Sequence, residues 1–118
     1  MKILVVDPMA GSRTLTCRHL NSAGYSDVTP VDDGSAALVE LQKESFNLAI
    51  IDWHTPGLDL VKQIRDHKAL AQLPLLMAVK EPDLSHVSEA LEQGANGYIM
   101  QPASVGLLAE KINSMINQ

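Results

Sequence analysis

Leu48-Ala49-Ile50-Ile51-Asp52-Trp53-His54-Thr55-Pro56-Gly57 decides the fold. Four apolar residues run without alternation into an aspartate, and a turn follows at once. An unalternating apolar run is the mark of a strand covered on both faces, as in a parallel sheet. A carboxylate at its end is costly to place unless something uses it. Upstream, Ile3-Leu4-Val5-Val6-Asp7 repeats the design. Both aspartates fall at the C-terminal ends of strands, where open α/β sheets bind their ligands.

Working outward, five short apolar runs alternate with five segments of helical period. The expected strands are Lys2–Asp7, Asp27–Val31, Asn47–Asp52, Pro74–Val79 and Gly97–Met100. Pro30 puts the second at a sheet edge, since proline cannot donate to a ladder. Helix one covers about 11–23, with Leu15, Leu20 and Ala23 inward and Gly24 ending it. Asp32 or Asp33 caps helix two, whose buried stripe is Ala37, Leu38 and Leu41. Helix three follows Pro56-Gly57, with Leu60, Val61 and Ile64 inward. Asp83 or Ser85 caps helix four, with Leu84, Val87 and Leu91 as its stripe, and Gly94 ends it. Helix five, about 104–116, turns Leu108, Ile112, Met115 and Ile116 inward. This alternation predicts an α/β, doubly wound (βα)5 parallel five-stranded sheet in one domain, 1–118, with no effector domain attached.

Composition narrows the function. With 118 residues, 46% of them hydrophobic, and few aromatics, the chain suits an aliphatic α/β core. A net charge of −5 and the lack of any Lys/Arg cluster argue against nucleic-acid binding. Cys17 stands alone, which excludes an intrachain disulfide and fits a reducing compartment. No stretch approaches the ~18 apolar residues of a membrane span, and the N-terminal apolar run is too short for a signal peptide. The expected location is the cytoplasm, with no membrane partner.

In order along the chain, Ile3-Leu4-Val5-Val6-Asp7, Arg13, Asp33-Gly34-Ser35-Ala36-Ala37-Leu38, Ile50-Ile51-Asp52-Trp53 with Pro56-Gly57, Ile64-Arg65, Leu73-Pro74-Leu75-Leu76-Met77 and Gly94-Ala95-Asn96-Gly97-Tyr98-Ile99-Met100 before Pro102 form a pattern. It resembles the receiver domain of two-component response regulators, of the single-domain chemotaxis type. The resemblance implies a flavodoxin-like sheet ordered 2-1-3-4-5. It implies that Asp52 occupies the position of the phosphoacceptor for a histidine kinase. It also implies a Mg²⁺ site made by Asp7, Asp52 and the backbone carbonyl of His54, and a docking and dimerisation face on helix four, strand five and helix five around Tyr98.

Departures from the pattern bear on the chemistry. A phosphoryl dianion repels a carboxylate, so transfer needs cations and donors around the phosphoryl oxygens. Pro8 stands where the family has its second acid, and proline has no side-chain oxygen for Mg²⁺. Val79 replaces the Ser/Thr that binds a phosphoryl oxygen. Gln101 replaces the lysine that supplies a fixed charge. The segment 56–65 is a few residues shorter than the family pattern. Lys80 stands at a position usually small, and its ammonium is expected to reach over Asp52 and Asp7, partly neutralising them and closing the pocket.

These departures predict weak or absent Mg²⁺ binding and a degenerate receiver that works through protein–protein interaction rather than as an enzyme. The alternative is a working receiver phosphorylated on Asp52. On the blander side, Asp52 and Asp7 serve only as loop caps, His54 is a plain loop histidine, and His19, His67 and His86 are surface residues. A flavin or nucleotide binder fits less well, because Asp7-Pro8-Met9-Ala10-Gly11-Ser12 lacks a Gly-rich phosphate cradle.

Overall fold

Alternating side chains of three buried strands supply two separate cores, one on each face of a parallel sheet. A computed structural model of the chain describes residues 1–117. The expected domain range 1–118 includes Gln118, which lies outside the described residues. The strands are β1 (Lys2–Val6), β2 (Asp27–Val31), β3 (Leu48–Asp52), β4 (Leu75–Val79) and β5 (Gly97–Met100), in the order β2-β1-β3-β4-β5. All neighbouring pairs are parallel. The helices are α1 (Ala10–Ser22), α2 (Gly34–Lys43), α3 (Gly57–Arg65), α4 (Val87–Glu92) and α5 (Val105–Ile116). This is the expected flavodoxin-like arrangement.

Along β1 and β3, Leu4, Val6, Ala49 and Ile51 join Leu41, Leu60 and Ile64 in one core. Ile3, Val5, Leu48 and Ile50 join Leu20, Leu108 and Ile112 in the other. Period-two side-chain direction makes that split. Pro30 lies on β2, an outer strand of the sheet, as its missing N–H requires. Asp33 caps α2 by accepting the Ala36 N–H at 2.7 Å, and Ser104 caps α5 by accepting that of Leu107 at 3.1 Å. Gly24 follows α1 at φ 97°, a left-handed conformation that favours glycine.

Two helix readings are corrected. Leu15 of α1 is exposed, not inward. Leu15 and Leu20 are five residues apart, which at roughly 100° per residue puts them well off a common face; the sheet takes Leu20. In the fourth helical segment, a 3-10 turn over Glu81–His86 precedes α4. Val87 and Ala90 are its buried pair, while Leu84 and Leu91 are exposed on its flank. Neither Asp83 nor Ser85 caps it; the segment has no side-chain cap. The Asp83 carboxylate is turned instead toward His54.

Arg65, at the end of α3, ties the opposite edge of the domain together. Its guanidinium donates to the carbonyls of Leu70 (2.8 Å), Leu73 (2.8 Å) and Gly94 (2.9 and 3.0 Å) and to Asn96 Oδ1 (3.0 Å). Gly94 has φ 119°, and a Cβ there would stand 2.8 Å from Arg65 Cγ. The glycine therefore serves both the left-handed turn and the passage of the arginine.

Candidate functional site: two buried carboxylates at the ends of β1 and β3

Register brings the two aspartates together. Val6 pairs with Ile51, so Asp7 and Asp52 leave the sheet side by side. They are only 2% and 6% exposed. Asp7 Oδ1 accepts the Met9 N–H at 2.9 Å, and Arg13 Nη1 donates to the Asp7 carbonyl at 2.8 Å. Asp52 Oδ1 accepts the His54 N–H at 2.9 Å. Both carboxylates thus cap the turn that follows them, and each keeps a second oxygen outside those turns.

Burial pushes the Asp52 carboxyl above the usual carboxylate range. The His54 N–H bond opposes this, the Asp7 charge adds to the rise, and the charges of His54 and Lys80 pull it back down. Lys80 forms no ion pair with either carboxylate among the described residues; its charge acts on Asp52 from farther away. The ring beside Asp52 is His54. Its Nδ1 stands 3.5 Å from Asp52 Oδ1, and its Nε2 stands 3.5 Å from Asp83 Oδ2. Next to it, Trp53 stacks on His86 with ring centroids 5.3 Å apart and planes 13° from parallel.

Of the remaining sequence candidates, Pro8, Val79 and Gln101 occupy the same end of the sheet, and Tyr98 lies two residues further back on β5. Pro8 is exposed beside Asp7 and brings no oxygen from its side chain. Val79 ends β4 with its side chain in the core on the α3 and α4 side. Gln101 follows β5, with its N–H donating to the Val79 carbonyl at 2.8 Å and its Oε1 buried without a partner among the described residues. Tyr98 is 38% exposed on β5, with Lys111 Nζ 5.7 Å from its ring centroid. The short turn after β3 brings α3 close: Gly57 donates to the Trp53 carbonyl at 2.8 Å, and a Cβ on Gly57 would stand 3.0 Å from the Asp52 carbonyl oxygen.

A divalent cation of the Mg²⁺ kind asks for hard oxygen donors. Asp7 and Asp52 offer two carboxylates with hard oxygens. No group of three or more His, Cys, Asp or Glu side chains suited to a metal occurs among the described residues. Mg²⁺ takes six oxygens, keeps several of them as waters and is held by one or two carboxylates; Asp7 and Asp52 are the pair that this end of the sheet would offer it.

Sequence reasoning missed the His54–Asp83 contact and the Trp53–His86 stack. Each joins the β3–α3 turn to the 3-10 turn after β4, and no local spacing marks such a pairing.

With fold and site in view, comparison with known proteins is decisive. The chain belongs to the response regulator receiver domain family, whose model matches residues 3–113. It is 36% identical to the chemotaxis protein CheY-3 of Vibrio cholerae, over 100% of this chain and 93% of that protein. It is 33% identical to the chemotaxis protein CheY of Pseudomonas aeruginosa, over 100% and 98%. Among solved structures, a putative response regulator from Chloroflexus aurantiacus superposes with a TM-score of 0.92 at 28% identity, over 99% and 98% of the two chains. The receiver domain of a sensor histidine kinase of Pseudomonas aeruginosa, solved with a magnesium ion coordinated in its active-site cleft, has a TM-score of 0.89 at 22% identity, over 99% and 98%. Receiver domains are signalling modules. Among the described residues, no helix is long and apolar enough to cross a membrane.

Proposed function

We propose that this protein is a degenerate receiver, a cytoplasmic module that signals by binding a partner protein without needing phosphorylation of Asp52. The observation that carries this reading is the pair of buried carboxylates with no lysine in ion-pair contact among the described residues. Pro8 and Gln101 stand where an acid and a lysine would assist the chemistry, and Lys80 makes no ion pair with either aspartate among the described residues. Loss of a single electrostatic group at a transition state costs about 10²–10³-fold in rate, so losing several leaves transfer to Asp52 slow and Mg²⁺ binding weak. Val79 adds to this, because an aliphatic side chain cannot transmit a phosphoryl group's presence to the segment after β4.

The partner surface in this reading is α4, β5 and α5. Leu91, Tyr98 and Leu107 are its exposed large apolar side chains, and Lys111 over the Tyr98 ring adds a fixed charge. Aromatic side chains flanked by cations are favoured anchors at protein interfaces. A histidine kinase, another signalling protein or a second copy would dock there. Tyr98→Ala is expected to abolish that association, and Asp52→Asn to leave it intact.

A second reading keeps Asp52 as a phosphoacceptor, favoured by its place at the end of β3 with Asp7 beside it. Trp53 separates the two. Under the first reading millimolar Mg²⁺ leaves Trp53 emission nearly flat, and acetyl phosphate adds no phosphoryl mass to the intact protein. A saturable quench with Mg²⁺, together with an added phosphoryl mass lost in Asp52→Asn, would establish the second.

A further inference from the structure

Between α1 and the outer strand β2 runs an open groove of about 430 Å³. Thr14, Cys17, Arg18 and Asn21 line it from α1. They stand at i, i+3, i+4 and i+7, one stripe of a helix. Arg13 borders the groove nearer the start of α1, and Pro30 lines it from β2. Val28 packs into the core on the α1 side, and Pro30, two residues on, shares that face of the strand.

Charge sets this place apart. Acids outnumber Lys and Arg by 14 to 9 in the chain, yet α1 holds Arg13 and Arg18 and no Asp or Glu. Arg13 Nη1 donates to the Asp7 carbonyl at 2.8 Å, which fixes the guanidinium without neutralising it. Neither arginine makes an ion pair among the described residues, whereas Lys2 meets Glu44 at 3.2 Å. Two like charges beside one groove repel, and an anion between them relieves the repulsion. Every polar side chain along the groove can donate a hydrogen bond: two guanidiniums, a hydroxyl, an amide and a thiol. Guanidinium forks match phosphoryl oxygens, and two of them match a dianion. The net charge of −5 opposes approach to an extended anionic surface, so a compact anion is what the groove can take.

We propose that the groove between α1 and β2 binds a small soluble phosphomonoester. The phosphoryl group sits between Arg13 and Arg18, with Thr14 and Asn21 as further donors. The apolar remainder of the molecule lies against Pro30 and Cys17. This site is on the α1 side of the sheet at its β2 edge, and it does not rest on the reading of Asp52.

Phenyl phosphate is the probe, titrated at about pH 8, where a phosphomonoester is doubly charged. The protein is ¹⁵N-labelled, free of Mg²⁺ and carries Asp52→Asn, so that the carboxylate site does not compete. The expected result is saturable amide shifts centred on residues 13–21 and 28–31, weakening as salt rises. The same probe should slow alkylation of Cys17 by iodoacetamide. Arg18→Gln removes an exposed charge that forms no ion pair in the fold among the described residues, and should weaken binding about ten-fold. Unchanged affinity in Arg18→Gln, shifts centred on Asp7 and position 52, or benzoate binding as tightly as phenyl phosphate would each overturn the proposal. So would Arg18-dependent capture by phosphatidylglycerol vesicles without any response to phenyl phosphate, which would move the anion to a membrane surface.

Discussion

His54 Nε2 stands 3.5 Å from the Asp83 carboxylate, across the gap between the turn after β3 and the turn after β4. With its Nδ1 facing Asp52, one imidazole spans an acid at the centre of the site and an acid at its margin. The imidazole is 57% exposed and the carboxylate 18%, so water screens the contact. Half-exposed pairs of this kind contribute about 0–1 kcal/mol. Asp83→Asn should therefore lower stability by less than about 1 kcal/mol. The larger effect should be on mobility: amides of residues 81–86 should exchange faster with deuterium in the variant. Equal exchange in both proteins would mean that the contact does not hold the turn.

Asp52 carries a stability penalty with a definite sign. Its carboxyl is raised above the ordinary range chiefly by burial, then by the Asp7 charge, against the opposing His54 and Lys80 effects. For an acid whose folded pKa is raised, ionisation disfavours the folded state, so stability falls as pH rises from the ordinary aspartate pKa through the folded one. Asp52→Asn keeps an oxygen for the His54 N–H and removes the charge. It should raise the urea midpoint at neutral pH. That gain should vanish below about pH 3.9, where the wild-type carboxyl is protonated in both states. A variant no more stable than wild type at neutral pH would contradict the assignment.

Arg65 is the side chain whose loss should be felt most. It donates to carbonyls of Leu70, Leu73 and Gly94 and to Asn96, and Asn96 Oδ1 also accepts the Leu75 N–H at 2.8 Å. A lysine cannot reproduce that fan of donors. Arg65→Lys should cost about 2–4 kcal/mol by urea denaturation. Gly94→Ala should cost at least about 1 kcal/mol through strain at its positive φ.

Restoring the missing groups offers the most direct check on the proposed function. Pro8→Asp supplies a second acid beside Asp7, and Gln101→Lys supplies a cation at the end of β5. Together they should accelerate labelling by acetyl phosphate by at least about 10²-fold and make it Mg²⁺-dependent. The intact mass after timed exposure reports this. If wild type already labels as fast as the double variant, the departures at Pro8 and Gln101 carry no functional meaning.

Much of the fold was legible because the strands write themselves as unbroken apolar runs. Ile3–Val6 and Leu48–Ile51 locate β1, β3 and both aspartates without help from any contact. Asp33 and Gly24 were readable because caps are local chemistry. The region after β4 was not, because a 3-10 turn shifts the phase of the helical repeat and puts Leu84 and Leu91 on an exposed flank. His54 with Asp83, and Trp53 with His86, belong to separate turns and leave no periodic trace.

Pro30 has a consequence beyond its own strand. Val31 turns its carbonyl toward β1, accepting the Asp7 N–H at 3.1 Å, so the adjacent Pro30 backbone faces outward. The donor that proline lacks is therefore one a foreign strand would have used, and the exposed Asp27 at the start of β2 adds charge along the same border. The open side of β2 is thereby guarded against strand addition, a safeguard against fibrous self-stacking that leaves the molecule's associations to its helical surfaces.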